Sequence, residues 1–542
     1  MENKKKSGFL LQGGILAAAG LFTRFIGMLY RIPLERVVGR EGMGYYSNAY
    51  EIYNIALLIS CYSVPVAVSK VIADKDGKGE YVNASRYFKY ALLISSSIGL
   101  VVSALVFFLA PQIAGIFEYP SSILPLRVLA PTIFVFSFMG VFRGFFQGKR
   151  TMVPTAISQI VEQIFNAIVS VWAAYLLVNS VTETTQKASR GAAGGTAGTL
   201  SGAICGLLLL LFLFIKQRKS NKKLILSDTT GAVDSAGAIC KTIILTMIPI
   251  VLSQTIYQIS GIIDSYMFSN AMVNKGFDER TRSIFWDAYS NRYKWMYNVP
   301  VAIASAFGVT IVPTLSACLG RRDIDGIKTR IASAVKVNML VAFPAAAGLG
   351  FLSKPILLLM FNHADDTLGP ELLTIGCSAV VFFALSTLTN GVLQGINKMR
   401  KPVIHALISL VIHIFVIQVL LWFLDMGVKG MVIGNMLYGL CVCIFNWISI
   451  KKALNYKQEV IKTFIMPCIC SLIMGGVAYL LYWFLCNEIY NHVIMVVPVV
   501  FFAIILYGVL IVITRTVTKE ELKTMPMGGK IVKLFTKIHL LK

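Results

Sequence analysis

Charge is scarce in this chain, and acid scarcer than base. Only 14% of the 542 residues are charged, with 26 acids against 50 lysines and arginines, while 56% are hydrophobic. So few charges cannot cover a water-soluble domain of ordinary fold, and the composition reads as an integral membrane protein. Histidine is rarer still, at five residues. His405 and His413 lie eight apart in one apolar run, but two imidazoles without a third ligand make a poor metal site, so no metal is expected. The ten cysteines lie in or beside apolar runs and read as small buried hydrophobes, not as a disulfide framework. No Walker motif is present, and the glycine run GAAGGTAGTLSGAICG from Gly191 follows no strand and continues as an apolar helix. Its glycines read as a surface for close helix packing, and no nucleotide cofactor is expected. The first apolar run lacks a small-residue cleavage site and continues into Arg24, so it is expected to remain as a span. Paired carboxylates on a sizeable outer loop, which a membrane glycosyltransferase would need, are also missing, so the chain is not expected to be an enzyme.

What the chain does have is long apolar runs. Against a bilayer core of about 30 Å they give fourteen helical spans. These cover roughly 9–31, 44–72, 87–117, 123–147, 154–178, 193–215, 240–268, 284–315, 331–353, 369–396, 402–424, 428–450, 463–485 and 491–514. With the amino terminus, Lys4 to Lys6, placed inside, the segments on that side hold 32 of the 50 basic residues and those opposite hold nine. That asymmetry is the positive-inside rule: a multi-pass protein of the bacterial plasma membrane, with both termini cytoplasmic. The net charge of +24 therefore reads as topology and contact with anionic lipids, and no nucleic-acid partner is expected.

The chain also repeats itself. YSNAYEIYN at Tyr46 returns as YSNRYKWMYN at Tyr289; Val64-Pro65 returns as Val312-Pro313; GFFQG at Gly144 returns as GVLQG at Gly391; Pro154 returns as Pro402. Landmarks in one order at nearly one interval argue for a duplicated unit of six helices, and six being even makes the repeat parallel. The expected fold is an all-α integral membrane protein of about fourteen transmembrane helices, two parallel-repeat six-helix lobes plus two carboxy-terminal helices. The domains would be an N-lobe at 1–218, a polar linker at 219–238, a C-lobe at 239–452, the last two spans at 453–516 and a basic tail at 517–542. Paired bundles that rock about a central site favour a transporter.

An ionised side chain at the bilayer centre costs about 2.5–3.5 kcal/mol, so each one needs a partner, a wet cavity or a function. Arg24 and Arg31 lie two turns apart on one face of the first span, and Pro33 is expected to end or kink that helix. The tyrosines of the repeated stretch fall at helical spacing in both copies and read as scaffold. Where the first copy has Ala49 and Glu51, however, the second has Arg292 and Lys294. Arg24, Arg31 and Arg292 come from equivalent early helices, and a forked, permanent charge suits phosphate. The bland alternative pairs Arg24 with Glu51, and Arg292 with Asp287 or Asp264, merely to hold helices together. Asp264 and Glu162 are the lone deep acids, candidates for Na+ or H+ coupling or for arginine counter-ions.

FTRFIG at Phe22, GREGMGYYSNAY at Gly39, VPVAVSKVIA at Val64, DAYSNRYKWMYNVP at Asp287 and the Gln147-Gly148 and Gln394-Gly395 turns resemble the multidrug, oligosaccharidyl-lipid and polysaccharide exporters. Within that family the likeness is to the MurJ-type lipid II flippases and the stage V sporulation protein B branch. The resemblance implies a V-shaped, MATE/MurJ-like pair of lobes around a cationic cavity, with the last two helices forming a groove for a polyprenyl tail. It implies that Arg24, Arg31 and Arg292 bind the diphosphate of a lipid-linked oligosaccharide, with Tyr46, Asn48, Glu51, Tyr289, Asn291 and Lys294 lining the cavity. A further arginine of some members is missing at the second span, where Ile55-Ala56-Leu57 stands, and the eleventh span offers His405 and His413 where sodium ligands occur in others. The expected function is outward translocation of an undecaprenyl-diphosphate-linked cell-wall precursor, lipid II, by a monomer whose further partners are cell-wall synthesis proteins. The rivals are export of a teichoic-acid, capsule or spore-cortex intermediate, a drug or cation antiporter, and a non-transporting scaffold.

Overall fold

In a bilayer the backbone must satisfy its own hydrogen bonds, and a chain this apolar does so as helix. The computed structural model describes residues 2–361, 366–488 and 492–518, and each of the fourteen expected runs falls on helical chain there. Nine helices among the described residues are long and apolar enough to cross a membrane, and up to eleven if each of two bent pairs is one span. The basic tail lies, from residue 519 on, outside the described residues. The chain packs as two compact units, Met1–Asp287 and Ala288–Lys542.

The first unit holds α1 (Glu2–Leu57), α2 (Val64–Gly77), α3 (Tyr81–Phe108), α4 (Ala110–Ile116), α5 (Ile123–Gly148), α6 (Val153–Asn179), α7 (Thr184–Leu226), α8 (Ala236–Asn274) and α9 (Glu279–Asp287). α1 does not end at Pro33, as expected; the helical run continues past it and breaks at Gly39, whose φ of 75° is open to glycine at little cost. A π turn at Leu58–Tyr62 then bends the path by 51° into the following helix. The glycine run of α7 is a packing stripe, as read from the sequence. A Cβ on Gly194, Gly198 or Gly202 would collide with Ala174, Ser170 or the Glu162 carbonyl of α6. That stripe fixes the height of α6, and with it the position of Glu162.

The second unit holds α10 (Trp295–Gly320), α11 (Ile324–Phe351), α12 (Ser353–Phe361), α13 (Leu368–Gly376), α14 (Ala379–Gly395), α15 (Arg400–Gln418), α16 (Gly427–Leu454), α17 (Met466–Glu488) and α18 (His492–Ile513). A π turn, Ala288–Lys294, leads into α10. The duplicated letters turn out to be contact pairs inside each unit. A Cβ on Gly144 would lie 2.9 Å from the Pro65 carbonyl and one on Gly148 2.9 Å from Ile72, while in the second unit one on Gly395 would lie 3.2 Å from the Val312 carbonyl. In each unit the repeated glycines thus let one helix approach closely the helix that carries the Val-Pro pair, through contacts that differ in register between the two copies. α17 and α18 pack on each other and on Ala347 and Leu352 through Met474, Ala478, Val499 and Ala503.

The division at Asp287/Ala288 leaves α8 and α9 in the first unit, although the repeat counts them with the second copy. Asn48 Nδ2 donates to Ser265 Oγ at 2.9 Å, Ser269 Oγ to the Phe117 carbonyl at 2.6 Å and Ser283 Oγ to the Glu41 carbonyl at 2.7 Å. Arg282 closes the same end, reaching the carbonyls of Phe277 at 2.7 Å and Glu118 at 2.6 Å. At the opposite end the linker is strapped down. Asp228 accepts from the Val82 amide at 2.8 Å, Asn83 from the Asp234 amide at 2.9 Å, and Lys75 bridges Asp234 at 2.7 Å and Glu80 at 2.8 Å.

These contacts hold Asp228, Asp234 and Glu80 below the usual carboxylate range, Asp228 through Thr230 and the Val82 amide, the other two chiefly through Lys75. A depressed folded value stabilises the strap above the ordinary carboxylate pKa, and the gain is lost as pH falls through the lowered folded values. Asp234→Asn is therefore expected to raise amide exchange across 227–235 at neutral pH, and acidification of the wild type below about pH 4 to do the same. Unchanged exchange in both would disprove the strap.

Candidate functional site

In the first unit, the Tyr46 and Tyr50 rings pack at a tilt with centroids 4.6 Å apart, and Tyr50 and Tyr53 meet edge to face at 5.7 Å. In the second, Tyr289, Tyr293 and Tyr297 form a matching ladder at 5.8 and 5.0 Å, with the Tyr293 hydroxyl donating to Asn435 at 3.0 Å. The shared tyrosines are scaffold. Arg31 uses the first ladder as its seat: its guanidinium lies 5.7 Å from the centre of the Tyr46 ring, and the Tyr30 and Tyr46 hydroxyls meet at 3.1 Å beside it. A cation over a ring face is worth about 0.5–2 kcal/mol, which helps to hold the guanidinium in place. Arg24, two turns earlier, is exposed and makes no ion pair with a described residue.

Arg292 has a different setting. It is fully enclosed in the second unit, its Nε 3.1 Å from Asp366 and its guanidinium 5.0 Å from the Phe361 ring centre. Gly369 makes the seat, since a Cβ there would lie 2.5 Å from the Arg292 side chain and from the Asp366 carboxylate. Asp366 was not among the partners weighed from sequence. Arg292 is carried by the Ala288–Lys294 π turn, whereas the matching first-copy residues run as α-helix. π turns inside helices recur at functional sites.

The other expected residues are distributed as follows. Tyr46, Asn48, Tyr289 and Asn291 are buried within their units; Glu51 and Lys294 are half-buried. Lys294 lies 5.4 Å from the Tyr289 ring centre, and Glu51 abuts Gly261 of α8. Asp264 is buried on α8 beside Ser265. Glu162 is an arginine counter-ion, but to a residue passed over in the sequence: Arg143, whose Nη2 donates to it at 2.7 Å while Nε donates to Ser158 at 3.0 Å. The two copies carried the signal. Gly144 matches Gly391, so Arg143 stands where the second copy has Asn390, a charge difference of the kind that singled out Arg292. His405 is engaged at both ring nitrogens, by Asn446 at 2.8 Å and Ser449 at 3.0 Å, and His413 meets the Gly434 carbonyl at 2.9 Å.

An all-helical chain with at least nine helices long and apolar enough to cross a membrane, and an internal sequence repeat, defines a class: the multi-pass membrane proteins. Solved structures share the fold. The inward closed conformation of the lipid II flippase MurJ aligns over 91% of this chain and 97% of that one, with TM-score 0.65 at 18% identity. An inward-facing multidrug resistance MATE transporter of the MOP superfamily aligns over 81% of this chain and 99% of its own, with TM-score 0.62 at 18% identity. A family model described as "Lipid II flippase MurJ" matches residues 86–502, more than half of the chain. The chain belongs to that family. Two relatives from Bacillus subtilis bracket it: a lipid II flippase MurJ, 26% identical over 88% of this chain and 89% of its own, and stage V sporulation protein B, 21% identical over 97% and 99%.

Proposed function

We propose that this protein carries an undecaprenyl-diphosphate-linked cell-wall precursor, lipid II, from the inner to the outer leaflet of the bacterial plasma membrane. Membership of the MurJ family carries this reading. Arg24 and Arg31 on α1 would receive the diphosphate, and Arg292 would join them when its contact with Asp366 opens. A guanidinium fork bonded to phosphate oxygens is the strong form of the hydrogen bond, and it leaves the sugar unread. The prenyl tail never leaves lipid, and the seam between α17 and α18 is the surface we assign to it. With both termini inside, an inside-negative potential favours outward movement of the head group by about 2.3 kcal/mol per charge per 100 mV.

A second reading rests on one observation: the sporulation relative spans 97% of this chain, so a spore-cortex precursor is the substrate to set against the vegetative one. The deciding experiment expresses the chain in cells depleted of their essential lipid II flippase, and in a sporulation mutant lacking the cortex exporter. Growth of the depleted cells is expected. Rescue of the sporulating strain alone would transfer the assignment to the cortex, and rescue of neither would remove it.

A further inference from the structure

Arg143 and Glu162 form an ion pair, 2.7 Å long, at membrane depth in the first unit, between α5 and α6. Both side chains keep some exposure, 12% and 22%. Three observations distinguish this pair from a helix clamp. The contacts to Ser158 and Glu162 use part of a fork that has five N–H donors. Arg24 belongs to the same patch. A Cβ on Gly27, three residues after Arg24, would lie 3.3 Å from the Gln163 amide, next to Glu162, so Arg24 lies within about one helical turn of the level of Glu162.

The third observation is the repeat. Gly144 matches Gly391 and Pro154 matches Pro402, so Arg143 and Glu162 correspond to Asn390 and Leu410. Both members of the pair are replaced together in the second copy, although the glycine crossing beside them is kept. The shared scaffold stands without the pair.

From this we infer that Arg24 and Arg143 form an anion site on the first unit that takes the diphosphate of a prenyl-linked substrate, with Glu162 as the resident ligand that the substrate displaces from Arg143. The exchange breaks no covalent bond: N–H donors of Arg143 pass from the Glu162 carboxylate to phosphate oxygens, and the half-exposed carboxylate turns to water. Glu162 keeps the arginine in position when the site is empty and competes for it when substrate must leave. This inference rests on the flippase reading and adds a residue to its binding site.

The test uses the full chain in nanodiscs, with farnesyl diphosphate as probe and inorganic pyrophosphate as the lipid-free arm. Arg143→Gln is expected to raise Kd for the probe about tenfold or more, and Glu162→Gln to lower it about tenfold by removing the competitor. The swap Arg143→Glu/Glu162→Arg keeps the pair but moves the cation, so it should regain wild-type thermal stability and still bind weakly. Weaker binding in Glu162→Gln, or wild-type binding in the swap, would show a structural pair and overturn the inference. Equal affinity for pyrophosphate and probe would reassign the site to free phosphate compounds and overturn it likewise. Wild-type protein that binds no probe would remove the flippase reading itself, whereas loss in Arg24→Ala with none in Arg143→Gln would remove this inference alone.

Discussion

Arg24→Ala is expected to abolish rescue of flippase-depleted cells, lowering colony counts at least a thousandfold, while the folded protein becomes no less stable. The two halves of that expectation have separate causes. Arg24 is an exposed cation in an apolar stretch of α1 and makes no ion pair with a described residue. Keeping it at membrane depth costs roughly 2.5–3.5 kcal/mol, so truncation relieves a cost instead of creating one. Binding moves the other way. Losing one charge-assisted fork to a diphosphate costs on the order of 3 kcal/mol, about a hundredfold in affinity, with further loss if the same contact is needed during reorientation. Arg24→Lys keeps the charge but not the fork and should rescue partially. Thermal unfolding in detergent alongside the growth assay separates the two halves. An inactive variant that is also unstable would mean Arg24 is a packing residue, and full rescue by the stable variant would mean that it does not meet the substrate.

The sequence exposed the fold more readily than the site because folding in a membrane leaves a long-range signature. Apolar runs, the bias of Lys and Arg, and a repeat of nearly fixed interval are properties of whole segments, and they survive uncertainty at single residues. Gly144 and Gly391 could be matched without any structure, and the structure supplied only what each touches. Charge partners are set by which helices become neighbours. One partner of Arg292 is Asp366, in the connection before α13 and 74 positions away in sequence, and nothing in the spacing of either residue indicates it. The rule for proline predicts an end or a kink of α1 at Pro33, but the helix does not end there, since φ near −65° is compatible with a helix, and the residue with non-helical φ/ψ is Gly39. Arg143 was legible in principle, since it departs from its own repeat as Arg292 does. Its partner Glu162 lies 19 positions away on the next helix, a pairing that the sequence does not indicate.

Asp366→Ala is expected to destabilise the second unit strongly. Removing one partner of an enclosed ion pair costs about 3–5 kcal/mol. Arg292 has no exposed surface and Gly369 closes over it, so water does not replace the carboxylate without opening α13. A fall of roughly ten degrees in the apparent Tm is expected. Replacing both residues, Arg292→Met with Asp366→Ala, fills a similar volume without charge and should recover most of the loss, since buried pairs are seldom worth more than good apolar packing. The first copy supports this, for Ala49 stands at the position of Arg292 and is equally buried. The scaffold therefore does not require the charge, and the stable double variant isolates any other use of it. We expect it to fold and fail to rescue, because Arg292 is needed at the diphosphate once the Asp366 contact opens. If it folds and rescues growth, Arg292 is a strut, and the arginines of the first unit bind the substrate without it.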